Sequence, residues 1–557
     1  MLLSPNLSPC RRRGYGKYGF ALLAVMASTG PARAETFDAD GTTISFDSTL
    51  TAGTGIRTRK PSCQLITAGA SGAGAPQGCL GPYNGLGDQG DLNYKAGQAF
   101  TTYLKGTHEL LVATPDDWKF LGRFSWLKDF TAANNSGYVS ATNPTGLSMP
   151  RSVQDDLRTQ VRLLDLWGAK SFQLNGEEAR IRVGEQVINW GESVFLAGGI
   201  NQTNAIDVMR LSQPGTQLKE VFLPAPIVSL ASGLGHGLNA EVYYQALWNA
   251  DYLPPTGSYW SMTNGLGTGH NDYNYANIQK PHSQQYGASL RWQPEGTSIN
   301  FGTYLISYQD KIPVVGFNTA GTQEWVYVPN RRLYGLSASF PIGDWAVGSE
   351  LSYRPRDTVT LNPVDCQLNG KVGGCYIDKS KYQAALSGTL SMDGSDYRYI
   401  TKSLGADQAS FIIEAVGVKY SDLGTSYNGN SVAAGGLSWG NLTTPGTSFP
   451  AQSVPTGTST SWGYNLDFSW TYDGTVLPGW RITPEVYFFH AVSGRTPNAS
   501  SQFMAGAKSA NFAITFAQNP ANWQVGVNYS KFWGTDIAFD QPLADRDFVG
   551  IYASRSF

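Results

Sequence analysis

The chain has 557 residues, of which 40 are lysine or arginine, 42 are aspartate or glutamate and 64 are glycine. Charged residues make up 15% of the chain and aromatic residues 12%, whereas charged residues are about 25% of an average soluble domain. This composition favours a large all-β protein over a helical one, and the lack of net positive charge argues against a nucleic-acid partner.

The first 34 residues have the three parts of a secretory signal peptide. Four basic residues precede a short apolar core, FALLAVMA at 20–27, and Ala-Arg-Ala at 32–34 supplies the small residues of a cleavage site. The apolar core is far shorter than the roughly 20 residues of a membrane-spanning helix. We therefore predict a signal peptide at 1–34 and a mature domain at 35–557, which carries 35 basic and 42 acidic residues.

The mature chain is dominated by segments of about ten residues in which apolar and polar residues alternate. In one of them Tyr464, Leu466 and Phe468 share one face, while Asn465 and Asp467 share the other. This period of two predicts strands with one apolar and one polar face. About eighteen such strands are predicted, at roughly 43–58, 99–113, 117–130, 155–170, 178–190, 217–230, 238–249, 284–293, 297–310, 332–340, 345–354, 382–391, 409–420, 462–472, 480–492, 505–517, 522–533 and 546–557.

Short and long connections alternate between these segments. Tight links such as 294–296 and 341–344 follow long ones such as 59–98 and 250–283, and only the link at 392–408 departs from the pattern. Short turns at one end, long loops at the other and an even number of strands are typical of bacterial outer-membrane barrels. We therefore predict an all-β fold, a transmembrane antiparallel β-barrel of about 18 strands (16 to 18) with long extracellular loops.

The stretch 180–224 has the pattern of a strand, a long loop and a second strand. It begins as an alternating strand, continues through a run rich in glycine and asparagine, and ends in a second extended run. Some barrels fill their lumen with a loop between two strands. We expect residues 191–216 to fold inward and constrict the lumen.

The last eleven residues, DFVGIYASRSF, alternate and end in an aromatic residue. This ending resembles the signal by which the outer-membrane assembly machinery recognises its barrels. With the signal peptide, it predicts the cell outer membrane as the location, and outer-membrane lipids and the barrel assembly machinery as partners.

Four cysteines remain after removal of the signal peptide, in two close pairs: Cys63 with Cys79, and Cys366 with Cys375. Export places them in an oxidising compartment, where local pairing is the favoured connectivity of the three. A zinc site is the alternative, but neither pair has C-x-x-C spacing or a neighbouring histidine. We predict two disulfides.

Motifs for catalysis are weak. Gly436 to Gly440 fits G-x-S-x-G, with Ser438 as its serine, but this motif acts on a sharp strand-to-helix turn and here lies in a long polar loop. The five histidines have no metal-ligand spacing. We predict no enzyme, no catalytic residues, no metal and no cofactor, although outer-membrane enzymes with dispersed catalytic residues leave that alternative open.

Charged residues on the polar faces of the predicted strands are the candidate lumen and constriction residues. Three neighbouring strands carry a series of basic residues, and later strands and the loop after Trp190 carry acids. Opposed charges in a narrow passage orient and select solutes; alternatively, the same groups pair only to fill and stiffen the interior. The candidates are Lys119, Arg123, Arg158, Arg162, Arg180, Arg182, Glu192, Asp207, Glu350, Asp467 and Glu485.

Seven stretches resemble the Gram-negative outer-membrane family catalogued as domain of unknown function 1302. They are GDLNYKAG at 90–97, RVGEQVINWGES at 182–193, GGINQTNAIDV at 198–208, KEVFLP at 219–224, LYGLSAS at 333–339, SELSYRP at 349–355 and DRDFVG at 545–550. The resemblance covers nearly the whole mature chain. Members of this family are regarded as outer-membrane barrels and are often encoded near a periplasmic carrier-like protein and an inner-membrane exporter. The resemblance therefore implies these two partners and the movement of a hydrophobic or amphipathic compound through the envelope.

Three functions remain as hypotheses. The first is a porin-like outer-membrane channel or transporter with residues 191–216 as a constriction. The second is an outer-membrane enzyme that acts on lipid or glycan, and the third is a structural or assembly component of a transenvelope complex.

Overall fold

The protein is described by a computed structural model. It describes residues 35–62, 65, 88–135, 148–196, 198–263, 265–273, 278–282, 284–393, 397–434, 455–518, 522–535 and 540–557. The predicted signal peptide, Cys63, Cys79 and the G-x-S-x-G segment lie outside these residues.

Eighteen strands of the described chain form one closed antiparallel sheet. In chain order they are β1 (Thr42–Arg57), β2 (Ala99–Ala113), β3 (Trp118–Asp129), β4 (Thr159–Leu174), β5 (Glu177–Gln186), β6 (Ala225–Gly235), β7 (Leu238–Gln245), β8 (Gln285–Trp292), β9 (Asn300–Tyr308), β10 (Arg331–Ile342), β11 (Trp345–Thr360), β12 (Tyr376–Met392), β13 (Gln408–Tyr420), β14 (Thr460–Asp473), β15 (Trp480–Ser493), β16 (Lys508–Gln518), β17 (Trp523–Trp533) and β18 (Phe548–Ser556).

The barrel closes between its first and last strands. Each strand pairs with the next in sequence, and β1 pairs with β18 from Thr49↔Ser556 to Arg57↔Phe548. A short strand, Glu35–Ala39, pairs only with the start of β1. The predicted 18-strand antiparallel barrel is confirmed.

The alternation along the strands separates an apolar outer wall from a polar interior. Val161 on β4, for example, is 73% exposed on the outside, while its neighbours Gln160 and Arg162 contact residues inside the barrel. Large apolar side chains recur on the outside at Phe120, Phe124, Leu163, Val183, Leu336, Leu351 and Leu386.

Short turns and long loops occupy opposite ends, as predicted. The longest link at the short-turn end, between β12 and β13, contains a helix at Arg398–Leu404. Other helices lie at Gln89–Asn93, Arg151–Arg158, Val208–Leu211 and Pro363–Leu368, with 3₁₀ turns at Leu218–Glu220 and His270–Tyr273. Within the described residues, no helix has the length and apolar character needed to cross a bilayer.

Small sheets accompany the long loops. Val314–Phe317 pairs with Gln323–Val326 and with Gly373–Gly374. Ala205–Ile206 pairs with Phe222–Leu223, and Ser426–Tyr427 with Asn430–Ser431. A disulfide joins Cys366 to Cys375 across the loop between β11 and β12, as predicted for this pair.

Two predicted strands are wrong at their starts. The strand predicted at 155–170 begins at Thr159, because Arg151–Arg158 is a helix that buries Val153 and Leu157 on one face. The strand predicted at 217–230 begins only at Ala225, after the 3₁₀ turn at Leu218–Glu220.

Candidate functional site: a segment inside the barrel

Residues 187–224, between β5 and β6, form what we call the inward segment. Asparagine side chains fold the first half of this segment back on itself. The Asn204 amide accepts from the Ile188 backbone N–H at 2.9 Å, and the Asn201 amide oxygen accepts from Trp190 and Gly191 at 3.1 and 3.0 Å. These contacts fold residues 188–204 into a closed loop.

We call residues 192–200 the tip of this loop. Two buried carboxylates on the barrel wall bind it. Glu350 on β11 accepts backbone N–H groups of Glu192, Ser193 (2.7 Å) and Ile200 (3.2 Å). Each is a charge-assisted hydrogen bond, a stronger class than bonds between neutral groups. The loop follows β5, and it is therefore fixed by β11, which lies six strands further along the barrel.

Glu414 on β13 makes the second set of contacts. Its carboxylate accepts the backbone N–H groups of residues 194, 195 and 196 at 2.8–2.9 Å, and the Ser193 hydroxyl at 2.5 Å. Arg354 on β11 donates to the carbonyls of Gly198 and Gly199. The carboxylates of Glu350 and Glu414 therefore bind backbone N–H groups of the tip, and the guanidinium of Arg354 binds its backbone carbonyls.

The returning half of the inward segment is bound to a different part of the wall. Glu220 forms a buried ion pair with Lys105 on β2 and accepts from the Thr107 hydroxyl at 2.7 Å. Burial alone would raise the pKa of the Glu220 carboxyl, but the Lys105 ammonium and these hydrogen bonds hold it below its ordinary value. The Tyr103 hydroxyl donates to the Pro214 carbonyl.

Asp207 is at the centre of the inward segment and is fully buried. Its carboxylate caps the short helix Val208–Leu211 by accepting from the Arg210 N–H at 2.8 Å. The same group accepts from Arg162 on β4, whose guanidinium lies 4.4 Å from the centre of the Tyr252 ring. A buried carboxylate with a cation and backbone donors is satisfied without water.

A charged cavity of about 400 Å³ lies beside the first residues of the inward segment, towards the short-turn end. Arg180 on β5, Glu241 on β7 and Arg291 on β8 line it. Glu241 accepts from the Trp190 indole N–H at 2.7 Å, and Arg291 donates to the Trp190 carbonyl at 3.3 Å. We call this space the vestibule.

Glu192, the first residue of the tip, is half-buried near this cavity. Burial raises the pKa of its carboxyl; Arg291 acts against the rise, and the Glu350 carboxylate adds to it.

The remaining predicted residues fall into four groups. Arg123 pairs with Glu109 and Asp165 on the neighbouring strands, both at 2.6 Å, and Arg182 donates to Gln186. Lys119 is exposed at the short-turn end of β3. Asp467 and Glu485 lie diagonally across from each other on the paired strands β14 and β15. The prediction that Arg158 lies on a strand face is wrong, because Arg158 is the last residue of the helix Arg151–Arg158.

A second network closes over the long-loop end of the barrel. The guanidiniums of Arg57 and Arg546 are fully buried and bind Asp91, Asp545 and Asp88 at distances that include 2.9, 3.1 and 2.8 Å. Burial raises the pKa of Asp88 to about 7 against the pull of Arg546, and the Asp91 carboxylate adds to the rise. Two cations and three carboxylates leave one negative charge in excess, which opposes ionisation of Asp88.

The sequence patterns did not identify Glu414, Lys105 or Glu220 as site residues. Glu414 does carry a signal, since it is the one acid in the apolar run FIIEAVGV and occupies an inward position of its strand. Lys105 also occupies an inward position of its strand, β2. The groups that bind Glu414 and Lys105 lie on the inward segment, so only the path of that segment determines these contacts.

A family model described as protein of unknown function (DUF1302) matches residues 16–557. No curated protein matches the chain. Among solved structures, the chain is similar to Acinetobacter baumannii OccAB3, with 9% identity, a TM-score of 0.43 and coverage of 92% of this chain and 99% of that chain. It is also similar to a BenF-like porin from Pseudomonas fluorescens Pf-5 (10% identity, TM-score 0.40, 92% and 98% covered) and to opdK from Pseudomonas aeruginosa (11%, 0.40, 92% and 98%). Similarity at this level says nothing about what this chain binds or transports.

Proposed function

We propose that this chain, which belongs to the protein family of unknown function DUF1302, is an outer-membrane channel whose lumen is narrowed by the inward segment. The observation that carries the proposal is the pair of anchorages of that segment. Its tip is bound by Glu350 and Glu414 on β11 and β13, and its returning half by Lys105 on β2. A segment bound to both of these walls crosses the interior between them.

The outer wall supports a position in a membrane. Many outward residues of the strands are large and apolar, and their exposed surface continues around a barrel that is closed by the pairing of β1 with β18. Monomeric soluble proteins rarely expose contiguous apolar surface on this scale. A closed barrel satisfies all its backbone hydrogen bonds, as the interior of a bilayer requires.

The vestibule supports selection by charge beside the inward segment. Arg180 and Arg291 present guanidiniums to the cavity, and Glu241 presents a carboxylate. Fixed charges of both signs beside a narrow passage orient a solute that has a polar end. Of the compounds implied by the family resemblance, this lining favours an amphipathic one over a purely hydrophobic one.

The role of this channel in the cell envelope is proposed from the resemblance to the family. The channel would pass its solute between the cell exterior and a periplasmic carrier protein, in series with an inner-membrane exporter.

Conductance measurements on purified protein in a planar bilayer test the proposed channel and its selection by charge. We expect discrete conductance steps and a reversal potential, in a salt gradient, that shifts when Arg291 is replaced by glutamate. The outward-facing variant Lys531→Glu is the matched control, because it makes the same charge change on the outer wall, and it should leave the reversal potential unchanged. Folded protein that gives no conductance steps would contradict the channel, and equal shifts for both variants would contradict selection in the vestibule.

A further inference from the structure

A groove of about 330 Å³ lies on the outer wall of the barrel, across β11 to β14. Its floor and sides come from one row of paired residues, Leu351↔Ala384↔Gly417↔Trp462. The two small residues in the middle lie between large side chains that are 48% and 44% exposed. The surface that lines the groove is almost entirely apolar.

Gly417 lies in the floor of the groove, and no neighbouring atom of the barrel requires a glycine there. Its φ is outside the left-handed region, and a Cβ built on it meets no atom within 4 Å. A glycine inside a strand weakens the strand and often marks a site that another molecule approaches closely. Ala415, the next outward residue of β13, extends the floor of small residues by about 7 Å.

The end of the groove nearest the long loops carries a cation. Lys419 pairs across the sheet with Tyr382 on one side and Thr460 on the other, and its side chain is exposed. In the same row, Tyr334, Tyr353 and Tyr382 stack along β10 to β12, with ring centres 6.3 and 4.8 Å apart. Such aromatic rows mark the membrane–water interface of barrels. Lys419 is therefore level with the lipid headgroups.

We propose that this groove binds one phosphate-bearing membrane lipid of the leaflet at the long-loop end. The phosphate pairs with the Lys419 ammonium, and one acyl chain lies along Gly417 and Ala415 between Tyr382 and Trp462. Charge complementarity selects this occupant: an apolar groove that ends at an interfacial cation matches an anionic headgroup with its chain below. The proposal rests on the membrane position of the barrel but not on channel activity.

Native mass spectrometry of the detergent-solubilised barrel with added phosphatidylglycerol tests the site. We expect one tightly retained lipid, and weaker retention of phosphatidylcholine. Lys419→Gln should weaken phosphatidylglycerol binding about fivefold, the equivalent of about 1 kcal/mol for one cation near anionic headgroups. Gly417→Phe should fill the groove and abolish the tight site, and Gly417→Leu is a smaller replacement if the phenylalanine variant does not fold.

Two matched controls distinguish this site from general lipid adhesion. Gly122→Phe fills an outward position on β3, where a Cβ meets only Leu166 at 3.8 Å, and Lys531→Gln removes an exposed lysine from β17. Both should retain the lipid. Equal losses in the groove variants and the controls, or full retention by Gly417→Phe, would overturn the proposal. Conductance should be unchanged in all of these variants, so a failed lipid site and a failed channel give different results.

Discussion

Replacement of Glu414 by alanine should release the tip of the inward segment. The carboxylate of this fully buried residue accepts three backbone N–H groups at 2.8–2.9 Å and one hydroxyl at 2.5 Å. Hydrogen bonds to a charged group contribute about 1.5–3 kcal/mol each, so four of them amount to about 6 kcal/mol at the low end. The tip residues are only partly buried, so water would replace part of the lost hydrogen-bond energy. The net loss in the free energy of docking the tip is then about 3 kcal/mol.

A loss of about 3 kcal/mol lowers the equilibrium constant for docking the tip roughly a hundredfold. Single-channel recording would detect the change as a larger mean conductance with added fluctuations, because the undocked tip moves within the lumen. Glu414→Gln keeps one carbonyl acceptor but loses the charge, so its effect should be intermediate.

Glu485→Ala is the matched control. It removes a carboxylate from an inward position of β15 whose neighbour is Asp467 rather than the tip. We expect a steady conductance close to that of the wild-type protein. A folded Glu414→Ala protein with the same conductance and the same noise as the wild type would refute the reasoning.

Three further predictions concern stability. The Cys366–Cys375 bond closes a loop with a sequence separation of 9, so its removal by serine substitution should cost about 2–3 kcal/mol in thermal unfolding and leave conductance unchanged. Lys105→Met should cost about 3–5 kcal/mol because Glu220 stays buried without its partner, and Glu220→Gln in the same protein should recover part of the loss. The pKa of Asp88 is raised in the folded state to about 7 from 3.8, so the folded state binds a proton that the unfolded state has released. The contribution of Asp88 to the free energy of unfolding should therefore fall by about 1.4 kcal/mol per pH unit between pH 4 and 7. Asp88→Asn should reduce this dependence in urea titrations, and the part that remains belongs to Asp545, whose pKa burial also raises.

The barrel was predictable from the sequence because its two faces meet different surroundings along every strand. Strict alternation in segments such as 464–472 reports that difference directly. The ends of strands carry less information. Val153 and Leu157 are four residues apart, which suits one face of a helix, yet the two positions also fit an alternating pattern, and the start of β4 was therefore misplaced.

The candidate site was less predictable, because its contacts depend on the route of the inward segment. Alternation places Glu350 inside the barrel but does not say that it binds backbone N–H groups from residues 192–200. The basic residues of β3 to β5 are similar in sequence context, yet Arg123 pairs within the wall and Arg162 pairs with Asp207. A β-bulge between Arg123 and Phe124 in the β3–β4 pairing also shifts the phase of β4, and a regular period of two does not reveal this.

The central claim is that the inward segment narrows the lumen, and its removal tests this most directly. Deletion of residues 194–212 from a protein that still folds removes most of the tip and the helix Val208–Leu211, while β5 and β6 remain intact. In planar bilayers the account predicts a single-channel conductance at least about twice that of the wild type, because the crossing segment is absent. An unchanged conductance in the folded deletion protein would contradict it.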